Sequence, residues 1–380
     1  MRLIIKTGQI ILQIIYEFFK LFPVKNKIVM ISRQSNDPSL DFILLCDEIK
    51  KEAPACKVVF LCKTLDGGVD STFRRKLGYM CHMFCQMYHL ATSKVAILDT
   101  YCIVVSLLKH RKNLQVIQMW HSMGTMKLFG YTAVGTGEGS SIKVAENMHM
   151  HENYTYFIAA SPNYKEHLAK GFRCDVDKAF ISPLPRYDLL KSKEYKENKR
   201  KEIFSTYPEL KSKKVILYCP TFRKNEVQMQ TAVDGLIDNL PDGYSLVVKL
   251  HPLSKVDLGS EKVSTAEDFT SFDMLFAADY VISDYSCIIY EAGILGLPLC
   301  FYAFDLDAYI QNRGLAIDYE KEMPGVISGD PKIIMSTIKD NDINVKKVRS
   351  FTDKYIEPTD NATKKITEFV LAVGRVKSER

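Results

Sequence analysis

The sequence predicts an α/β protein made of two doubly wound, parallel-sheet domains. Three observations carry that prediction. Short apolar, strand-like runs alternate with segments of helical period. The alternation lapses in a Lys- and Glu-rich stretch at residues 191–214 and then restarts. Three strands of the second half end in polar clusters, as strand ends do where α/β domains bind ligands. At 380 residues and 47% apolar content, the chain is long enough to bury two cores and too apolar to be disordered.

The first 22 residues are dominated by Leu, Ile and Phe. Arg2, Lys6, Gln9, Gln13, Glu17 and Lys20 recur every three or four residues, which is one stripe of a helix. So many polar groups argue against a membrane span, and Phe22–Pro23–Val24–Lys25 offers no signal-peptidase site. An amphipathic helix lying on a membrane surface fits; a helix packed on its own domain or on a partner is the alternative. After Pro23, strands are expected at Lys27–Ser32, Val58–Leu61, Val95–Asp99, Val116–Trp120, Thr155–Ala159 and Ala179–Ser182. Helices are expected at Leu40–Glu52 and Phe73–Thr92. The second half places strands at Val215–Tyr218, Ser245–Lys249, Tyr280–Ile282 and Leu299–Tyr302, with helices at Phe269–Phe276, Ile288–Leu295 and Ala362–Val373. The expected division is a membrane-associating helix at 1–22, a Rossmann-like domain at 24–190, a second at 205–360 and a helical tail at 361–380. Two such halves facing a central cleft would set His121 opposite His251.

Composition narrows the function. A net charge of +6 is modest for this length; it permits an anionic membrane or substrate and gives no reason to expect nucleic acid. The ten cysteines contain no Cys-x-x-Cys pair, so reduced, structural thiols in a cytoplasmic redox environment are expected. There is no Walker loop. Gly135-x-Gly137-x-Gly139 lacks a preceding strand, so it reads as a loop. His149, His151 and Glu152 lack metal-site spacing, and Asp305-x-Asp307 reads as a loop after a strand. No metal is expected.

His121 follows a strand and precedes a turn containing Ser122, Gly124 and Thr125, with Lys127 beyond. An imidazole so placed can take a proton from an incoming hydroxyl near neutral pH; capping a loop is the plainer reading. Lys127 is suited to holding an anion. In the second half, Thr221 and Arg223 follow one strand, and Arg223 can fork onto phosphate; a surface salt bridge is the plainer reading of Arg223. His251 ends another strand and could stabilise charge on a bridging phosphate oxygen. Asp284, Tyr285, Ser286 and Cys287 lead into a helix. Ser286 suits an anion, whereas Asp284 suits ligand hydroxyls or a helix cap. Glu291 is either a ribose acceptor or a buried helix carboxylate.

At these residues the chain resembles the CDP-glycerol glycerophosphotransferase family, the polyol-phosphate transferases of teichoic acid synthesis. The likeness rests on Trp-His-Ser-Met-Gly-Thr-Met-Lys (120–127), Pro-Leu-Pro-Arg-Tyr-Asp (183–188), Tyr-Cys-Pro-Thr-Phe-Arg (218–223), Lys-Leu-His-Pro (249–252), Ala-Asp-Tyr-Val-Ile-Ser-Asp-Tyr-Ser (278–286) and Phe-Tyr-Ala-Phe-Asp-Leu-Asp-Ala-Tyr (301–309). It implies a GT-B architecture and transfer of glycerol phosphate or ribitol phosphate from CDP-glycerol or CDP-ribitol to a hydroxyl of a lipid-linked glycan or polymer. CMP leaves, no cofactor is needed, and the enzyme works at the cytoplasmic face of the membrane. A GT-B glycosyltransferase using a nucleotide sugar is the alternative. By position, His121 and His251 match the family's catalytic histidines, and Thr221, Arg223, Asp284, Ser286 and Cys287 match donor-site positions. Tyr285 and Glu291 join the donor set. Ser122, Gly124, Thr125, Lys127 and Arg186 form the acceptor- or anion-binding set. Cys287 stands where Ser or Thr is usual, and Ser122–Met123 stand where Gly-Thr commonly follows the histidine.

Overall fold

A computed structural model describes residues 2–64, 73–250, 254, 256, 258 and 263–379, with the side chains of 2–5 and 73–76 left aside. The chain divides into two units, each built on its own six-stranded parallel sheet.

The first unit comprises Met1–Ser122, Phe129–Arg186 and Glu357–Arg380. Its strands are β1 (Lys27–Ser32), β2 (Lys57–Cys62), β3 (Val95–Leu98), β4 (Gln115–Gln118), β5 (Tyr156–Ala159) and β6 (Ala179–Ile181), in the order β2-β1-β3-β4-β5-β6. Ile28–Ile31 and Val95–Leu98 are buried on both faces, as central strands of a helix-covered parallel sheet must be. The strand order reverses between β1 and β3, so their carboxyl ends flank this unit's switch-point crevice.

The second unit comprises Met123–Leu128 and Tyr187–Ile356. Its strands are β7 (Lys214–Cys219), β8 (Tyr244–Val248), β9 (Val263–Ser264), β10 (Tyr280–Ser283), β11 (Leu299–Tyr302) and β12 (Val326–Ser328). The order β12-β11-β10-β7-β8-β9 is the Rossmann order, and the switch point falls between β7 and β10. Those are the strands that lead into Thr221 and Asp284.

The division differs from the one expected at 190/205. The helix Lys193–Thr206 is polar outside, but it buries Ile203, and Tyr195 packs edge-on against Phe276 at 5.2 Å, within the second unit. A charged outer face resembles a linker in sequence although the inner face is docked. The final helix, Ala362–Val373, returns to the first unit. There Phe369 stacks on Phe180 at 3.9 Å and Ile366 and Val370 are buried.

The N-terminal helix spans Arg2–Phe19 and docks on the first unit. Leu12, Ile15 and Phe19 pack against the core, and Tyr16 is fully buried, its hydroxyl 2.8 Å from His110 Nδ1. Gln9 Nε2 donates to the Asn147 carbonyl, and Gln13 Oε1 accepts from Lys109 N. The polar stripe expected to face water thus faces the protein in part, and Ile10, Ile11, Ile14 and Phe18 are turned outward. Among the described residues, no helix is long and apolar enough to cross a membrane.

Candidate functional site

In the first unit, β4 ends at Gln118, two residues short of the expected Trp120, because Trp120 adopts a left-handed backbone with φ 66°. For a bulky residue this costs on the order of 1–3 kcal/mol. Gln118 secures it: this fully buried side chain accepts from Trp120 N (3.0 Å) and donates to Tyr154 Oη (3.0 Å) and the Thr100 carbonyl (3.1 Å). His151 Nδ1 meets the same Tyr154 hydroxyl at 2.9 Å and so joins this network. His149 pairs with Glu152 at 2.9 Å.

The turn at Trp120 sets His121 at the carboxyl end of the sheet. The two rings lie 4.4 Å apart between centroids. His121 Nδ1 donates to the Asp99 carbonyl at 3.0 Å, which fixes the tautomer and leaves Nε2 as an acceptor. The ring keeps a solvent-exposed edge, and the protein around it holds its pKa below the ordinary value by desolvation. The Asp99 carbonyl opposes that shift, and the Arg186 charge adds to it. Asp99 directly follows β3 at the switch point and is 1% exposed. Burial raises its pKa to about 6, tempered by the nearby hydroxyls of Ser32 and Thr100.

Arg186, expected to bind an anion, is bonded within the first unit. Its Nε donates to Asp41 Oδ2 (2.9 Å), its main-chain N to Asp41 Oδ1 (2.9 Å) and its Nη2 to the His121 carbonyl (2.7 Å). It buttresses the histidine loop.

In the second unit, the loops after β7 and β10 are locked together by charge. Asp284 is fully buried and accepts from Thr221 N (2.9 and 3.1 Å), Tyr285 N (2.5 Å) and Arg223 Nη1 (2.5 Å). Arg223 also donates Nε and Nη2 to the two oxygens of Asp305 (2.7 and 2.8 Å) and Nη1 to the Thr221 carbonyl (2.7 Å). Its face lies 4.6 Å from the Phe304 ring centroid. Tyr285 is buried, donates its hydroxyl to Asp305 Oδ1 (3.1 Å) and stacks on Tyr309 at 3.8 Å. Tyr319 Oη donates to the Asp284 carbonyl at 2.9 Å.

Of the expected donor-site residues, Arg223 is thus held by two carboxylates, Asp284 accepts from Thr221, Tyr285 and Arg223, and Tyr285 bonds Asp305. Asp305, read from sequence as an ordinary loop residue, closes the cluster. Its signal was an Asp three residues past the end of a strand, lost beside the more conspicuous Asp-x-Asp pattern. Ser286 and Cys287 are half-buried at the start of the helix Ile288–Ile294, and Glu291 is buried on that helix.

The acceptor set also divides. Ser122 and Arg186 are in the first unit, whereas Gly124, Thr125 and Lys127 belong to the second. Lys127 pairs antiparallel with Leu315, Leu128 N donates to the Gly314 carbonyl (3.2 Å), and Ala316 N donates to the Met126 carbonyl (2.7 Å). Thr125 Oγ1 turns inward to the Lys127 carbonyl at 3.2 Å. His251 lies outside the described residues. Among the described residues, no three metal-ligating side chains converge.

A family model described as CDP-glycerol:poly(glycerophosphate) glycerophosphotransferase matches residues 14–372. The chain belongs to this family. A teichoic acid poly(ribitol-phosphate) polymerase of Bacillus spizizenii is 31% identical over 94% of the chain, which spans 58% of that relative's length. A teichoic acid ribitol-phosphate primase of the same organism is 29% identical, with 92% of each protein covered. A teichoic acid glycerol-phosphate primase of Bacillus subtilis is 30% identical over 76% of each. The glycerophosphotransferase fold is shared with the solved wall teichoic acid polymerase TagF, at a TM-score of 0.77, 20% identity and 98% coverage of both chains. That match makes the architecture GT-B-like.

Proposed function

We propose that the chain transfers a polyol phosphate, glycerol phosphate or ribitol phosphate, from a CDP-polyol to a hydroxyl of a membrane-linked glycan or teichoic-acid-like polymer, releasing CMP. Membership of the family and relatives named for both polyols support the reaction class. The observation that carries the chemistry is the fixed His121 tautomer, with Nδ1 spent on the Asp99 carbonyl and Nε2 bare. In the proposed step, Nε2 takes the acceptor hydroxyl proton as that oxygen attacks the polyol-bearing phosphorus. The new P–O bond forms there, the bond from that phosphorus to the bridging oxygen breaks, and CMP departs with the bridging oxygen. Such phosphoryl transfer is mostly positioning and electrostatics, so no covalent enzyme intermediate is invoked. His251 is proposed to offset charge on the departing CMP. The CDP-polyol is a substrate, and no separate cofactor is part of the proposal.

The setting proposed is peripheral, at the cytoplasmic membrane face. The outward apolar row Ile10, Ile11, Ile14, Phe18, Leu21 and Phe22, each 42–78% exposed, supports it.

The test is CMP release with CDP-glycerol and with CDP-ribitol on a lipid-linked acceptor, with mass analysis of the product. Loss of a positioned base costs about 10²–10⁴-fold, which is the expectation for His121→Ala. Near-parental turnover in both His121→Ala and His251→Ala, or turnover of a UDP-sugar in place of either CDP-polyol, overturns the reading.

A further inference from the structure

We propose that Lys127 is the cation that binds the donor's diphosphate in the second unit, with the Thr221 hydroxyl beside it. The inference rests on the nucleotide-donor reading above and assigns the phosphate charge within it. The motif had suggested Arg223 for that work. Arg223, however, is only 8% exposed and gives four hydrogen bonds to Asp284, Asp305 and the Thr221 carbonyl. A guanidinium has five N–H groups in a fixed fork, so almost none of its donor capacity is left.

Lys127 is in the opposite state. Its Nζ reaches the Thr221 hydroxyl at 3.2 Å and lies 5.9 Å from the Tyr309 ring centroid. No carboxylate of the described residues comes within ion-pair distance of it. An ammonium carries three donors, and one is used. Thr221 Oγ1, having accepted from Lys127, retains its own proton to donate. Desolvation lowers the Lys127 pKa, with Cys287 and Asp284 pulling it back up. A cation withdrawn from water without a contact counter-ion is costly unless an anion arrives.

The placement is built in and not incidental. The pairing of Lys127 with Leu315 pins the backbone on both sides of the lysine. Gly314 allows it: φ is 76°, and a Cβ there would sit 2.5 Å from Leu128 Cδ1. Thr221 is equally fixed, its main-chain N held by both oxygens of Asp284. The pair stands after β7, at the switch point of the Rossmann-ordered sheet, where this fold receives nucleotides.

The experiment is calorimetric titration of the full chain with CDP, CMP, cytidine and inorganic pyrophosphate, repeated for Lys127→Gln, Lys127→Arg and Thr221→Val. A hydrogen bond from a charged group contributes about 1.5–3 kcal/mol, so Lys127→Gln is expected to weaken CDP by roughly 10- to 100-fold. CMP should weaken less and cytidine should not change. Lys127→Arg should restore most of the CDP affinity, and Thr221→Val should show the same preference for losing CDP over cytidine. Unaltered CDP binding by Lys127→Gln, or equal weakening of CDP and cytidine, overturns the inference. Should Lys127→Gln fail to give the parental thermal transition, Thr221→Val decides by the same criterion. If the parental chain prefers UDP or GDP, the CDP-polyol reading falls, and Lys127 is judged on that nucleotide against its nucleoside. Failure of the parental chain to bind any diphosphate overturns it as well.

Discussion

Asp305 holds Arg223 by two parallel bonds, Nε to Oδ2 at 2.7 Å and Nη2 to Oδ1 at 2.8 Å, and so fixes the loop after β7 from the loop after β11. Both side chains are nearly buried. Breaking a buried pair costs about 3–5 kcal/mol, because the remaining charge is stranded. Asp305→Ala is therefore expected to lower the unfolding free energy measured in urea by that order, and to raise KM for the donor by releasing Thr221. A variant with parental stability and parental KM would show that Asp284 alone suffices to hold Arg223.

The acid limb of activity should reflect His121. Its pKa lies below the ordinary value of about 6.5, chiefly by desolvation, with the Arg186 charge acting the same way. A general base works when neutral, so activity is retained at pH 7 and is lost as pH falls through the depressed pKa. The limb in kcat/KM is expected below pH 6.5. Arg186→Gln removes a lowering charge and leaves Asp41, which raises the pKa, so the limb should move to higher pH. A limb above 6.5 in the parental enzyme, or a shift to lower pH in the variant, would contradict this assignment.

Gln118 should matter to catalysis without touching substrate. It is the side chain that satisfies Trp120 N in the left-handed turn immediately before His121. Gln118→Leu removes three hydrogen bonds and strands Trp120 N, a loss of roughly 1–3 kcal/mol for an unsatisfied buried group. The expected signature is a fall in kcat larger than any change in donor KM. The acid limb should move if His121 loses its bond to Asp99. A variant destabilised to that extent with parental kcat would make Gln118 a packing residue only.

Much of the framework was legible because parallel strands buried on both faces are written as continuous apolar runs. Lys27–Ser32 and Leu299–Tyr302 were read to the residue, as were the helices Leu40–Glu52 and Phe73–Thr92. Short edge strands failed the same reading. Val263–Ser264 and Val326–Ser328 are two and three residues long and too brief to show a period. The positions at strand ends were visible, but the direction of each side chain was not. Arg223 and Asp284 stand 61 residues apart in sequence, and nothing in either motif says that they neutralise each other. Lys127 was assigned with its sequence neighbour His121, yet a single antiparallel pairing with Leu315 carries it into the other unit. Long-range pairing decided both cases, and a motif records only local order.

The N-terminal helix should bind lipid through its outer row rather than through charge alone. Its inner side is committed, with Tyr16 on His110 and Phe19 edge-on to Tyr88 at 6.0 Å. Ile14 and Phe18, 64% and 60% exposed, are the outward pair one turn apart. Each buried CH₂ is worth about 0.8 kcal/mol on transfer from water, so Ile14→Asp with Phe18→Asp should abolish sedimentation with anionic vesicles. Both side chains are mostly exposed, and Phe18 meets the docked side only through Phe19 and Phe22, at 6.2 and 6.1 Å between ring centroids, so the thermal transition should fall far less than on deletion of residues 1–22. Raising salt should weaken the parental binding only partly, since screening acts on the electrostatic share and leaves the apolar share intact. Vesicle binding by the double variant equal to that of the parent would remove the helix from the membrane and leave its apolar row to be covered by protein.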